Sequence, residues 1–342
     1  MGAGASTKTK QGGTAPAPAD EKTSAGTAPT TTTTQAAEPK AVAAAEPREP
    51  AKLIDGKALA DARVAEVKRE VDALAAAGAP APCLAVVLLG DSPAALSYIK
   101  RKQDVARTCG VVVRLEQLPE AATHEEVVGK IQELNGEEQV HGIIVEMPLP
   151  AHLDAKAVTA AVAHSKDVDG LSPTHMGTVA LNGHEPVFCP CTPMGCLHLI
   201  KSVGVPLRGR EAVVVGASNI VGIPMALLLM KEGCTVCTCH IDTDDPASHA
   251  RKADILVVAV GKAHLVTKDW IKPGAIVIDV GINFVDDASK KSGKRMVGDV
   301  LFSEAQALAG HITPVPGGVG PMTTAVLMQN TLAAMKSSRV ST

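Results

Sequence analysis

Tyr98 and Lys102 stand four residues apart in Tyr98-Ile-Lys-Arg-Lys102, which places a phenol and an ammonium on one face of any helix that carries them. The pair reads either as an amphipathic surface pair or as a site of proton transfer, a chemistry open to a lysine beside an apolar cleft. Lys166-Asp167-Val-Asp169-Gly170 sets two carboxylates on alternate positions before a glycine. That is either a solvated turn or a strand-edge carboxylate that accepts paired N–H donors from a heterocycle. A third constellation, Gly216-Ala217-Ser218-Asn-Ile-Val-Gly222, follows an apolar run and opens a helix. Exposed N–H groups there would face phosphate, with Ser218 as an added donor. The loop departs from Gly-x-Gly-x-x-Gly, and a glycine turn of any parallel α/β protein has the same look.

Residues 314–324 pack three prolines and three glycines into Pro-Val-Pro-Gly-Gly-Val-Gly-Pro-Met-Thr-Thr, just before an apolar run. Proline fixes φ and glycine opens backbone conformations closed to other residues, so this is a shaped loop feeding a helix and a wall that a planar ligand can approach. A plain tight turn would share that composition. The cysteines give a weaker signal. Cys234-x-x-Cys237-x-Cys239-His240 resembles a metal site, but its latter half has strand composition and no second half-site follows, so these thiols read as structural, as do Cys189 and Cys191.

The elements that must position these residues follow from composition and pattern. Aromatic residues make up 1% of the chain, so the core is built from Ala, Val, Leu, Ile and Met. The net charge of -3 and the absence of a basic stripe interleaved with aromatics argue against nucleic acid as a partner. No apolar run is long enough to span a bilayer. Eight cysteines without a secretory apolar region suit a reducing compartment, and the expected location is cytoplasmic.

Residues 1–52 read as a disordered leader rich in Ala, Thr, Pro, Lys and Glu. Within it, Gly2 and Ser6 fit the pattern for N-myristoylation, a weak membrane tether with only Lys8, Lys10 and Lys22 nearby. A passive leader and an organelle-targeting segment are the alternatives. Beyond it, helices are expected at 58–77, 94–109 and 124–135, with strands at 83–89, 111–118 and 142–147. A second series gives a helix opening at 191, strands at 212–215, 235–240, 255–260 and 275–280, a helix at 220–231 and a helix after Pro321. Nearly continuous apolar strands separated by helices call for parallel sheets covered on both faces. The fold class is α/β with two domains, the second a Rossmann-like doubly wound parallel sheet. The expected division is 53–190 plus 318–342 for one domain and 191–317 for the dinucleotide-binding one.

In this order the motifs resemble one family, the methylenetetrahydrofolate dehydrogenase/cyclohydrolases. The likeness runs from about Leu53 to Lys336. It rests on the Tyr98–Lys102 spacing, Gly142-Ile-Ile-Val-Glu-Met-Pro-Leu-Pro150, Lys166-Asp-Val-Asp-Gly170, Pro190-Cys-Thr-Pro-Met-Gly195 and the glycine loop ending at Gly222. Asp279-Val-Gly-Ile-Asn283, Gly298-Asp-Val300 and the proline-glycine loop complete it.

The resemblance implies an active-site cleft between the domains, a homodimer, and 5,10-methylenetetrahydrofolate as substrate. A nicotinamide cofactor, NADP or NAD, would take a hydride from the one-carbon bridge, and water would then open the methenyl product to 10-formyltetrahydrofolate. By the same likeness Tyr98 stacks on the folate rings, Lys102 assists proton movement with Glu146 beside it, and Asp169 grips the pterin. Pro314, Pro316, Gly317 and Gly318 line the folate and nicotinamide site. Thr192, Gly216, Ala217, Ser218, Gly222, Ile241, Ile282 and Thr323 lie near the cofactor.

Three positions depart from the family pattern. Glu146 stands where Gln is usual, and a carboxylate beside Lys102 would favour its protonated form, weakening the cyclohydrolase step or moving its optimum to alkaline pH. Ala217 replaces the usual Arg, and Ile241, followed by Asp242, replaces the usual Ser, which removes partners for a 2′-phosphate and suits a free ribose diol. These departures also motivate a different reading, a catalytically weakened folate-binding or scaffold paralogue. A short-chain dehydrogenase is disfavoured because its Tyr-x-x-x-Lys follows the cofactor loop, whereas here it precedes it.

Overall fold

The computed structural model describes residues 49–184, 186–290 and 293–340. Gly2, Ser6 and the rest of 1–48 lie outside the described residues. Two sheets organise the molecule. One contains β2 (Cys83–Leu89), β3 (Val112–Leu118) and β4 (Gly142–Val145), all parallel, in the order β3-β2-β4. The other contains β1 (Lys52–Leu53), β5 (Glu211–Val215), β6 (Thr235–Cys239), β7 (Ile255–Val258), β8 (Ile276–Asp279) and β11 (His311–Ile312). Its order is β1-β11-β8-β7-β5-β6, again parallel throughout. An antiparallel hairpin of β9 (Asn283–Asp286) and β10 (Lys294–Val297) stands apart.

The helices between strands are α1 (Gly56–Ala76), α2 (Pro93–Cys109), α3 (His124–Gly136), α4 (Ala155–Ala160) and α5 (Pro173–Ala180). They continue with α6 (Cys191–Ser202), α7 (Gly222–Lys231), α8 (Pro246–Ala250), α9 (Phe302–Ala305) and α10 (Val319–Val340). Local signals fix their ends. Pro93 opens α2, where a missing N–H costs nothing, and Gly110 closes it at φ 78°, a left-handed conformation that favours glycine. Thr123 and Glu126 form a reciprocal capping box at the start of α3.

β2 shows why its apolar run is continuous. Leu84, Val86 and Leu88 join one core cluster, with Val64, Ile200, Met225, Val214 and Ile255. The alternate residues Cys83, Ala85, Val87 and Leu89 face another, with Val127, Ile131 and Leu134. Both faces are covered, as period-2 alternation requires of a central strand. β3 departs from that expectation. It is the sheet edge and only half-buried, with Arg114 held between Glu116 and Glu137.

Four strands lie outside the sequence expectation: β1, β9, β10 and β11. β1 and β11 have two residues each, too few for a period to register. Lys52 and Leu53 therefore belong to the larger sheet rather than to a leader or to the first domain's edge, paired with His311 and Ile312. α10 packs against α1, α6 and α2, so it lies with the smaller sheet's helices although it follows the larger sheet in sequence.

Candidate active site

A cleft of about 320 Å³ opens beside α1 and α2, and its walls include Tyr98, Ile282, Pro314, Pro316, Gly317 and Gly318. Its wall is apolar where the proline-glycine loop runs. Gly317 holds φ 109°, and its carbonyl accepts the N–H of Lys57 at 3.1 Å, one of the orphan donors in the first turn of α1. Asp55 caps the same turn through the N–H of Ala58 at 2.9 Å. Gly56 lies so close to the loop that a Cβ there would overlap the Gly318 carbonyl. The start of α1 thus sets the loop's position.

Tyr98 joins this cleft to the charged residues. Its ring lines the cleft and lies 5.4 Å from Lys102 Nζ. Lys102 donates to Glu146 Oε2 at 2.6 Å, with both side chains largely enclosed at 13% and 12% exposure. Glu146 follows β4 directly, and its N–H is bonded to Val87 on β2 at 2.9 Å, so the ion pair sits at the carboxyl end of the smaller sheet. Lys102, Glu146 and Asp169 are not themselves in the cleft lining. They form an adjoining polar group that meets the cleft at Tyr98.

Asp169 and Asp167 differ in what holds them. Asp167 accepts the N–H of Gly170 at 3.2 Å and of Ser172 at 2.8 Å, and so shapes the turn. Burial pushes Asp169 up to about 6, against the pull of Lys102 and with added repulsion from Asp167 and Glu146. Its neighbour Cys191 is buried, donates to the Val168 carbonyl at 3.4 Å, and has its thiol pushed well up by burial and by Asp169.

The larger sheet supplies a second region. Every strand is parallel, so Gly216 after β5, His240 after β6, Ala259 after β7 and Val280 after β8 emerge at one edge. The chain leaves β5 for β6 on one side and returns to β7 on the other. A crevice at the carboxyl ends of such strands is where doubly wound sheets take dinucleotides. The Gly216 loop fits one. Gly216 sits at φ 117°, where a side chain is strained, and a Cβ there would strike the Ala259 carbonyl. A Cβ on Gly222 would in turn strike the Gly216 carbonyl, so this loop keeps its path only with glycine at both places.

Ser218 also does local work, as an acceptor. Its Oγ accepts the N–H of Val221 at 3.2 Å and of Gly222 at 3.4 Å, so the oxygen caps α7. Ile241 is 97% exposed beside Asp242 in the turn after β6, and Gly216 N–H is bonded to Cys239 at 2.9 Å, which brings the loop and that turn together. Ile282 lies two strands from the Gly216 loop along the edge and lines the apolar cleft. Thr192 and Thr323 are bonded to each other at 3.1 Å, linking the first turns of α6 and α10.

Several residues of the site were not singled out from sequence. Lys57, Arg101 and Met296 line the cleft. Two buried aspartates knit the crevice floor. Asp279 accepts the N–H groups of Gly281, Asp299 and Val300 at 2.9–3.0 Å, and burial pushes it up to about 6. Asp299 accepts those of Val260 at 2.7 Å and Gly261 at 3.0 Å and holds the Asn283 amide at 2.8 Å. Their signal was an aspartate within two positions of a glycine in two short motifs, Asp279-Val-Gly and Gly298-Asp, where side chain and close backbone approach go together. None of the eight cysteines forms a disulfide, and only Cys237 is incompletely buried. Cys237 lies 3.5 Å from His249 Nδ1, and among the described residues no group of three or more His, Cys, Asp or Glu could hold a metal.

Two family models match the chain. Residues 54–169 match the catalytic domain of tetrahydrofolate dehydrogenase/cyclohydrolase, and residues 190–339 match its NAD(P)-binding domain. Bifunctional protein FolD 2 of Arabidopsis thaliana is 48% identical over 286 residues, 84% of this chain and 96% of its own length. Bifunctional protein FolD of Gluconobacter oxydans is 50% identical over 294 residues, 86% of this chain and 95% of its own. Among solved structures, Trypanosoma brucei N5,N10-methylenetetrahydrofolate dehydrogenase-cyclohydrolase, complexed with NADP and an inhibitor, superposes with a TM-score of 0.82 at 39% identity. That match covers 85% of this chain and 99% of the other.

Proposed function

Because this chain belongs to the tetrahydrofolate dehydrogenase/cyclohydrolase family, we propose that the cleft at Tyr98 is where it carries out that family's two reactions in turn. The enzyme oxidises 5,10-methylenetetrahydrofolate to the 5,10-methenyl form with a nicotinamide cofactor and hydrolyses the product to 10-formyltetrahydrofolate. The cofactor, when bound, accepts the hydride. The chain's own residues orient the folate, exclude water from the first step and admit it to the second.

The observation that carries the assignment of roles is the place of Tyr98, which lines the apolar cleft and stands 5.4 Å from the Lys102 ammonium. In this reading the folate's aromatic part lies between Tyr98 and the Pro314–Gly318 wall. Asp169 accepts the pterin's paired N–H groups, the strong charge-assisted geometry for such an edge. Lys102, oriented by Glu146, moves protons at the reacting nitrogen and at the attacking water. Helices α1–α5 and α10 with the smaller sheet form the folate-binding domain, and the larger sheet holds the dinucleotide along the strand ends from Ile241 to Ile282.

Cofactor choice is read from the same edge. Ala217 and the exposed Ile241 offer no charge to a 2′-phosphate, and Asp242 follows them, so NAD is expected to be used at least as well as NADP. Purified enzyme, methylenetetrahydrofolate and each nucleotide in turn give the test through methenyl absorbance and its decay. A kcat/KM for NADP above that for NAD under matched conditions would overturn the cofactor reading. No methenyl signal with either nucleotide would overturn the assignment as a whole and favour a folate-binding scaffold. A homodimer and a cytoplasmic location complete the reading, with Gly2 acylation checked by mass spectrometry of the mature terminus. Among the described residues no helix is long and apolar enough to cross a membrane.

A further inference from the structure

We infer that Asn330, on the terminal helix α10, is a positioning residue that fixes the Asp169 carboxylate for the folate, acting through the backbone on both sides of it. The inference rests on the reading of Asp169 as the residue that grips the pterin. Asn330 is 6% exposed, and its amide donates to the Val168 carbonyl at 2.8 Å and to the Cys189 carbonyl at 3.0 Å. An amide nitrogen carries two N–H donors, and here both go to backbone oxygens of two different segments. Val168 immediately precedes Asp169. Cys189 abuts Gly170, which follows Asp169 at φ 71° and where a Cβ would come within 2.7 Å of the Cys189 carbonyl carbon. One side chain from α10 therefore clamps together the segments that bracket the carboxylate.

The clamp leaves little freedom. From the other side Asp167 holds the N–H groups of Gly170 and Ser172, with His175 at 4.0 Å, and the Cys191 thiol shares the Val168 carbonyl. The same helix begins at Val319, directly after the Pro314–Gly318 wall, so it carries that wall at one end and the Asp169 clamp about 16 Å along its axis, at 1.5 Å per residue. α10 thereby sets the distance between two surfaces that meet the folate. Displacing a positioned group by about 1 Å can cost on the order of 100-fold in rate, so a residue that touches no ligand can still govern its use.

The test compares Asn330→Leu, close in size but without donors, with Asp169→Asn, the double variant, and Thr331→Val. Thr331 is a buried polar residue on the same helix whose hydroxyl donates within it, to the Leu327 carbonyl at 2.8 Å, and it controls for loss of stability. Asn330→Leu is expected to raise the KM for methylenetetrahydrofolate about 10- to 100-fold while the KM for the nucleotide stays within about 2-fold. If Asn330 acts through Asp169, the double variant is no worse than Asp169→Asn alone. Thr331→Val is expected to lower Tm without changing either KM. Should Asn330→Leu fail to fold, Asn330→Ser, which retains one donor, is measured for the same split. An unchanged folate KM, an equal rise in both KM values, or full additivity with Asp169→Asn overturns the inference. If Asp169→Asn itself leaves folate use unchanged, the reading of Asp169 fails, and the inference with it. If Asp169→Asn is impaired and Asn330→Leu is normal, only the inference fails.

Discussion

Asp167 and Asp169 share a side chain and a loop, and the difference between them is what each carboxylate faces. Asp167 is satisfied by backbone N–H groups, whereas burial pushes Asp169 up to about 6, well above the ordinary 3.8. The folded-state value is raised, so Asp169 favours folding fully below about pH 4, and that contribution is lost as pH rises through about 6. At pH 7.5 the ionised group is a cost to the free enzyme on the order of 3 kcal/mol. Asp169→Asn is therefore expected to raise Tm at pH 7.5 and to leave it unchanged at pH 4, while folate use falls at neutral pH. Scanning calorimetry of both proteins at the two values checks this, and an equal gain at both would contradict it. That a carboxylate pair stands at a turn was legible in Asp-Val-Asp-Gly, since two acids on alternate positions before a glycine are a recognisable pattern. Which of the two is held by backbone N–H groups was not, because those groups are supplied by the folded turn. Ser218 likewise has local partners that its sequence context did not show, its oxygen accepting two N–H groups at the start of α7.

At the scale of elements, the proline-glycine loop and the Gly216 loop were legible because their residues permit few other backbones. What each loop leans on was hidden, since the partner lies far away in sequence. The 314–318 wall leans on the first turn of α1, where Gly56 leaves no room for a Cβ beneath the Gly318 carbonyl. Alanine is the better helix former by roughly 0.8–1 kcal/mol, yet here it has to displace a backbone oxygen. Gly56→Ala is expected to lower kcat/KM for the folate by about 10-fold or more, with the nucleotide KM nearly unchanged. Steady-state kinetics with each substrate varied in turn decide it, and unaltered folate kinetics would show that the wall can retreat. The short strands β1 and β11 illustrate the limit of periodicity, because their place is set by the sheet they join.

Among the buried clusters of the molecule, one runs through both sheets, taking in Leu84 and Val86 of the smaller together with Val214 and Ile255 of the larger. α10 supplies much of what lies between. Burying Val326, Leu327, Met328, Leu332 and Met335, at ~1.5–3 kcal/mol each, amounts to on the order of 10 kcal/mol, comparable with the ~5–15 kcal/mol that a whole domain holds in reserve. A single cooperative unfolding transition is expected, and a fragment of residues 191–317 should not fold alone. Coincident melting curves by fluorescence at Trp270 and by circular dichroism, together with expression of that fragment, are the checks; two separated transitions would mean that the halves are independent. The two-sheet plan was readable from alternating strands and helices. The lacing was not, because β1 reaches the larger sheet from before α1, while α10 returns to the helices of the smaller one.

That lacing also limits how the molecule can be cut. A truncated product carrying either half would keep an uncovered greasy flank, so it is expected to clump in solution where the intact chain stays dispersed.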